Sequence, residues 1–243
     1  MVYLLKDGSD CRWNGDAVPW FELRKNKVSI IRKDCTMKEY KIKMMDHAPM
    51  CCKCWSRIEK TMIDECVWMD DYKPVCYAQV CYVKGDGFYA RLTCEESNPK
   101  AVHEGFFSDV YKDSCLEMFA KWDDASDKYI NIEMNSKGSC LIALGPDRYD
   151  RTPIDQLCGH PFEVKAEVGE TEWNVTVHVT EEDLCKIYGI TADKFVPGYV
   201  IMGNFYKCGD ETDVEHYVMW NPVGTEKPDY HRPEFFGRMV IEA

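Results

Sequence analysis

Val75-Cys-Tyr-Ala-Gln-Val-Cys-Tyr-Val83, then Lys84-Gly-Asp-Gly87, then Phe88-Tyr-Ala-Arg-Leu-Thr-Cys94 is the stretch that decides the fold class. Both flanking runs are rich in aromatic and β-branched residues, which fit a pleated, half-buried surface. The Gly-Asp-Gly between them supplies the backbone freedom that a tight reversal needs. The pattern predicts a β-hairpin, and similar runs recur on either side of it. Glu39–Met44 alternates polar and apolar residues, and 114–119, 129–135, 139–144, 162–168 and 172–178 read as further strands. Helix signals are few. The clearest is Thr180-Glu-Glu-Asp-Leu-Cys-Lys-Ile-Tyr188 before Gly189, with a Thr cap, an acidic first turn and a Gly stop. Many short strands with one or two short helices predict an all-β fold, an antiparallel β-sandwich of jelly-roll-like type.

The chain has 243 residues, enough for one large domain that buries roughly 70% of its unfolded surface without covalent staples. Its net charge of −12 argues against a nucleic-acid partner, because phosphate contacts need clustered Lys and Arg. No apolar run reaches the length of a membrane span, so no membrane partner is expected. The start, Met1-Val-Tyr-Leu-Leu-Lys-Asp-Gly8, lacks the basic leader and cleavage site of a signal peptide. The fourteen cysteines, many of them within strand-like runs, are then expected as reduced thiols in a cytoplasmic protein. Residues 40–243 are expected to form the sandwich. Residues 1–39 are expected as an extension packed on it, with a short hairpin or edge strands at 21–23 and 27–32; a separate subdomain is the other reading.

Two neighbouring strands carry an unusual polar face. Alternation puts Asp113, Cys115, Glu117 and Phe119 on one side of their strand. In the next it groups Asn131, Glu133 and Asn135, with Ile130, Ile132 and Met134 behind them. Carboxylates and carboxamides in such a row suit a concave face that meets hydroxyl groups; a plain solvent-facing strand is the simpler alternative. Gly145-Pro-Asp-Arg-Tyr-Asp-Arg151 adds Arg148 and Arg151, either of which could pair with those carboxylates and hold them ionised. The last forty residues place Asn204-Phe-Tyr-Lys-Cys-Gly-Asp210, His216-Tyr-Val-Met-Trp220 and His231-Arg-Pro-Glu-Phe-Phe-Gly237 close together. Aromatic faces beside directional polar groups are what a sugar ring and its hydroxyls require.

Val110-Tyr-Lys-Asp-Ser-Cys-Leu-Glu-Met-Phe119, Tyr129–Asn135 with Gly138, Trp173, Asn204–Asp210 and His231–Gly237, in that order, resemble the family-nine carbohydrate-binding modules, in their stand-alone "family 9-like" branch. The resemblance covers roughly residues 40–243. It implies a β-sandwich that grips the end of a mono- or oligosaccharide between two aromatic rings, in carbohydrate catabolism. Carried over residue by residue, it gives Glu117 as a hydroxyl acceptor and Tyr111 and Trp220 as the ring platforms. Asn131, Glu133, Arg148 and Asn204 are expected on the hydroxyls, with Lys207 and Asp210 as second choices. Tyr where a Trp platform would be expected favours a soluble sugar over crystalline polysaccharide. Family members attached to xylanases carry structural calcium. Asp123, Asp124 and Asp127 form an acidic loop with suitable oxygens, although a solvated turn is the plainer reading and no cofactor is expected.

Glu117 and Glu133 also raise a second function, O-glycoside hydrolysis, which commonly uses two carboxyl groups. The resemblance favours binding without cleavage, and a partner glycoside hydrolase would then supply the chemistry. Cys51-Cys-Lys-Cys54 with His47 hints at zinc, but a structural site needs four convergent ligands and no second Cys-x-x-Cys exists. His231–Gly237 is expected to close the sandwich, with Phe235 and Phe236 buried and Arg232 paired to Glu234.

Overall fold

The computed structural model describes residues 37–69 and 72–242, together with short strands within the first eighteen residues. The chain divides into two compact units, Met1–Cys35 and Thr36–Ala243. In the first, β1 (Leu5–Lys6), β2 (Asp10–Trp13) and β3 (Asp16–Val18) pair in order as an antiparallel sheet. The strands expected at 21–23 and 27–32 lie outside the described residues.

The second unit starts with β4 (Glu39–Met45), α1 (Cys52–Trp55), β5 (Thr61–Ile63), β6 (Cys76–Val83) and β7 (Gly87–Cys94). After a 3-10 turn at Val110–Lys112 come β8 (Cys115–Lys121), β9 (Tyr129–Asn135), β10 (Cys140–Gly145), β11 (Thr152–Pro153) and α2 (Ile154–Cys158). The chain finishes with β12 (Glu163–Val168), β13 (Trp173–Thr180), α3 (Glu181–Tyr188), β14 (Val200–Gly209), β15 (His216–Met219) and β16 (Gly237–Ile241). Hydrogen bonding runs β11-β10-β9-β8-β14-β16-β4-β6-β7-β13-β12, with β15 beside β14 and β5 beside β6.

The hairpin that decides the fold class is β6–β7, and its register closes at Val83 opposite Gly87. Gly85 takes φ +83°, which L side chains rarely adopt, and Gly87 lies so close to β13 that a Cβ would meet the Val179 carbonyl at 2.3 Å. α3 packs behind this turn. Thr180 Oγ1 accepts the Asp183 amide at 3.0 Å, the first turn is acidic, and Gly189 ends the helix in the left-handed region. Glu181 then accepts the Tyr82 hydroxyl and, at 2.8 Å, the Gly85 amide, which ties helix to hairpin.

β4 joins the two halves of the sandwich. Arg238–Ile241 of β16 pair with its first four residues, and Cys81–Val83 of β6 pair with its last three; both ladders are parallel. The other ladders of the unit are antiparallel, so β4 departs from the antiparallel expectation. It does so because it crosses between sheets rather than turning back as a hairpin. One core unites both inner faces: Leu116, Met118, Ile130, Ile132 and Met134 from one half meet Val80, Tyr82, Leu92, Val175 and Val177 from the other. The alternation read in β8 and β9 therefore sends its apolar set inward. A second cluster of Phe119, Tyr129, Tyr206, Met219, Tyr230 and Phe236 covers the opposite face of β8, β9 and β14. Arg232 Nε donates to Glu234 at 2.8 Å; Phe236 is buried, whereas Phe235 is half-buried.

Candidate functional site

Glu117 of β8 and Glu133 of β9 are direct partners across the antiparallel ladder, so their side chains rise side by side from one face. Both are almost fully buried, at 2% and 3% exposure. They form the floor of a cavity of about 350 Å³, within the range of small-molecule pockets. It has three walls, drawn from four places in the sequence.

The first wall is the loop between β10 and β11. Gly145 lets it fold back, because a Cβ there would sit 2.0 Å from the Asp150 carbonyl. Asp147 Oδ1 accepts the amides of Tyr149 at 2.7 Å and Asp150 at 2.9 Å, and these bonds hold its carboxyl below the usual range. The folded loop presents Arg148, Tyr149 and Arg151 to the cavity. Tyr149 is 92% exposed, with its ring free to meet a ligand.

The second wall is Pro228–His231. Tyr230 stacks on Tyr206 of β14 at 3.9 Å, and its hydroxyl donates to the Lys207 and Val218 carbonyls at 3.1 Å each. Asp229 then takes Arg148 at 2.9 Å. His231 meets the Tyr129 hydroxyl through Nδ1 at 2.7 Å. Burial and the Arg151 and Arg148 charges push its pKa down to about 2, so its ring is neutral across the ordinary pH range. The third wall holds Tyr111 from the 3-10 turn, with Cys208, Asp210 and Tyr217 around the end of β14.

The floor is electrostatically strained. Burial, reinforced by Glu133, raises Glu117 well above the ordinary carboxylate range. Burial raises Glu133 to about 7 despite Arg151, whose guanidinium lies 3.5 Å away, and Arg148. Asp210 is raised by burial as well. The pair therefore presents both a carboxylic acid that can donate and oxygens that can accept, a combination suited to hydroxyls. Cys208 Sγ donates to Glu117 Oε1 at 2.9 Å, and Asn131 Nδ2 donates to Glu133 Oε1 at 3.0 Å.

Of the nine residues expected at the ligand, the cavity gathers Tyr111, Glu117, Glu133, Arg148 and Asp210. Asn131 is fully buried and reaches the site through Glu133. Asn204 is structural: its amide donates to the Asn221 carbonyl at 2.8 Å, and its Oδ1 accepts the Asn221 amide at 2.8 Å. Lys207 alternates to the inner face. There it lies fully buried, 2.6 Å from His216 Nε2 and 3.7 Å from Glu96. Burial and the Lys207 charge push His216 down to about 4. Trp220 sits in the inner core against Phe205 at 5.5 Å, and a Cβ on Gly237 would meet its ring at 2.5 Å. That packing removes Trp220 from the candidate platforms. Tyr149, Tyr217 and Tyr230 also line the cavity and are not among the expected ligand residues; for Tyr149, a loop Tyr three residues after a Gly-Pro is the available signal.

Two carboxylates of the acidic loop are engaged by lysines. Asp123 pairs with Lys194 at 3.4 Å and Asp124 with Lys121 at 3.5 Å. Among the described residues, the ligand atoms that converge are those of Cys115, Glu117 and Cys208, and two sulfurs do not suit a hard cation. Cys51 and Cys54 do not converge there with His47.

Residues 53–241 match the model of carbohydrate-binding family 9, and the chain belongs to that family. Among solved structures, a Bacteroides uniformis protein inferred to be carbohydrate-binding shares 25% identity. It superposes with a TM-score of 0.69, over 85% of this chain and 100% of that one. A family 9 module from Caldicellulosiruptor kristjanssonii is similar in fold at 9% identity. Its cellotriose complex gives a TM-score of 0.57 over 84% of this chain and 94% of that one, and its glucose complex gives 0.59 over 84% and 96%. No curated protein matches the chain. Carbohydrate binding is thus the function that the family assigns.

Proposed function

We propose that the cavity over Glu117 and Glu133 receives the end of a mono- or oligosaccharide and holds it without cleaving it. The observation that carries this reading is the composition of one concavity: exposed and half-buried tyrosines surround buried carboxyls and two arginines. Tyr111, Tyr149 and Tyr217 offer ring faces, while Glu117, Glu133, Arg148 and Asp210 meet hydroxyls. The glucose and cellotriose complexes of the Caldicellulosiruptor module make gluco-configured sugars the first to try. A role in carbohydrate catabolism goes with this reading. So does a cytoplasmic setting, supported by Cys76, Cys81, Cys94, Cys115, Cys140 and Cys208 standing as thiols inside strands.

Titration calorimetry with glucose and cellotriose is the test, alongside product analysis of the same mixtures. Saturable binding between about millimolar and micromolar, with every sugar recovered intact, is expected of such a shallow site. Release of shorter sugars, abolished in Glu117→Gln, would instead establish a hydrolase.

A further inference from the structure

Cys51-Cys-Lys-Cys54 lies at the start of α1, and none of its residues lines the saccharide cavity. Cys51 is fully extended while the chain turns immediately after it, bringing its Sγ to 3.3 Å from that of Cys54. The turn is held rigidly from behind. The amides of Cys54 and Trp55 donate to the Cys51 carbonyl at 2.9 and 3.2 Å. Gln79 Nε2, buried on β6, donates to the carbonyls of Trp55 and Ile58 at 2.7 Å each. Trp55 itself is buried under the Arg91 guanidinium, 4.7 Å from its ring.

We propose that Cys51 and Cys54 form a thiol–disulfide exchange site, which a low-molecular-weight disulfide oxidises reversibly to an intramolecular disulfide. Two sulfurs already in contact need only about 1.3 Å of further approach to reach bonding distance. Cys51 is exposed, so a reagent reaches it. The Cys54 thiol and the amides of Cys54 and Lys53 donate to Cys51 and lower its pKa, which enlarges its thiolate fraction. Two other facing pairs lack that access. Cys115–Cys208 across β8 and β14 and Cys76–Cys94 across β6 and β7 are all buried, and Cys115, Cys208 and Cys94 are pushed up by their surroundings.

Exchange proceeds in two balanced steps. The Cys51 thiolate attacks one sulfur of the external disulfide, forming a mixed disulfide and expelling one thiolate. Cys54 gives up its proton and attacks the Cys51 sulfur; the Cys51–Cys54 bond forms and the second external thiolate leaves. The two protein thiol protons end on the two released thiols, so the protein is oxidised by two electrons and the external disulfide is reduced.

The full chain, fully reduced, would be equilibrated without air in mixtures of glutathione and glutathione disulfide. Acid quenching, alkylation and peptide mass spectrometry then read the thiols. The expected product is a peptide spanning 51–54 that has lost two hydrogens and accepts no alkylation at either position. Cys54→Ser should retain glutathione on Cys51, and in the parent Cys51 should alkylate faster than it does in Cys54→Ser, which removes a donor to it. The double variant Cys51→Ser/Cys54→Ser should bind saccharide as the parent does, which keeps this test apart from that of the cavity. Both thiols alkylated even in the most oxidising mixture would overturn the proposal. So would a Cys51–Cys52 product, or stoichiometric zinc that survives a chelator and blocks both thiols.

Discussion

Glu133→Gln isolates the cost of the buried carboxyl pair. Folding raises the Glu133 carboxyl from 4.5 to about 7, mainly by burial. Between those two values the folded protein holds a proton that the unfolded chain releases. Its stabilising proton is therefore fully present below about pH 4.5 and is lost as pH rises through 7. At about 1.4 kcal/mol per pH unit, the folded state gives up about 3 kcal/mol across this window. The side chain is only 4% exposed, so solvent screening takes little from this figure. Glutamine keeps the shape and the oxygen that accepts Asn131 Nδ2, but cannot ionise.

The parent protein alone would not show the effect cleanly. His231 and His216, lowered by burial to about 2 and about 4, gain stability as pH rises toward 6.5, opposite in sign to Glu133. Subtracting parent from variant removes both histidines. Urea unfolding of each protein, followed by fluorescence of the buried tryptophans at several pH values from 4.5 to 7.5, gives the difference. The variant's stability relative to the parent should rise by about 3 kcal/mol over that interval, whatever its value at the acidic end. Glu117, relieved of a neighbouring charge, extends the gain in the same direction at higher pH. A difference that stays constant with pH would mean that Glu133 is not a desolvated carboxyl, and the account of the cavity floor would fail.

Tyr149→Ala should leave the melting temperature unchanged, because the ring is exposed, and weaken saccharide binding by about two- to twelvefold, from about 0.5–1.5 kcal/mol of ring contact. Calorimetry that finds the parent's affinity would remove Tyr149 from the site. Trp220→Ala should cost about 3–5 kcal/mol of unfolding free energy, since it empties the space between Phe205 and Gly237; a fully stable variant that had lost only saccharide binding would return Trp220 to the platform role.

The parts of the fold that were legible in the sequence are those written in short-range pattern. The Gly-Asp-Gly hairpin, the capped helix at 181–188 and the two-faced β8 and β9 strands each follow from residues within one element. The parallel pairing of β4 with β16 joins residues about 200 positions apart, that with β6 residues about 40 apart, and no local pattern encodes either. The candidate site divides along the same line. Glu117 and Glu133 are found by alternation because strand faces are periodic, and their pairing needs only that β8 and β9 be neighbours. An aromatic residue carries no such mark. Trp220 and Tyr149 stand beside polar residues in similar-looking stretches, yet one has 2% of its surface exposed and the other 92%. What separates them is the next layer of chain. Gly237 lets β16 close over the indole, whereas the Asp147 turn carries the tyrosine clear of the sheet. The same rule holds for Lys207, two residues on from Phe205 in β14 and therefore on the inward face, where its charge is buried against Glu96 instead of being offered to a ligand. Strand parity sorts Lys207 with Phe205 and Cys208 with Tyr206, and the burial of Phe205 in the inner core then turns Lys207 away from the cavity and Cys208 toward it.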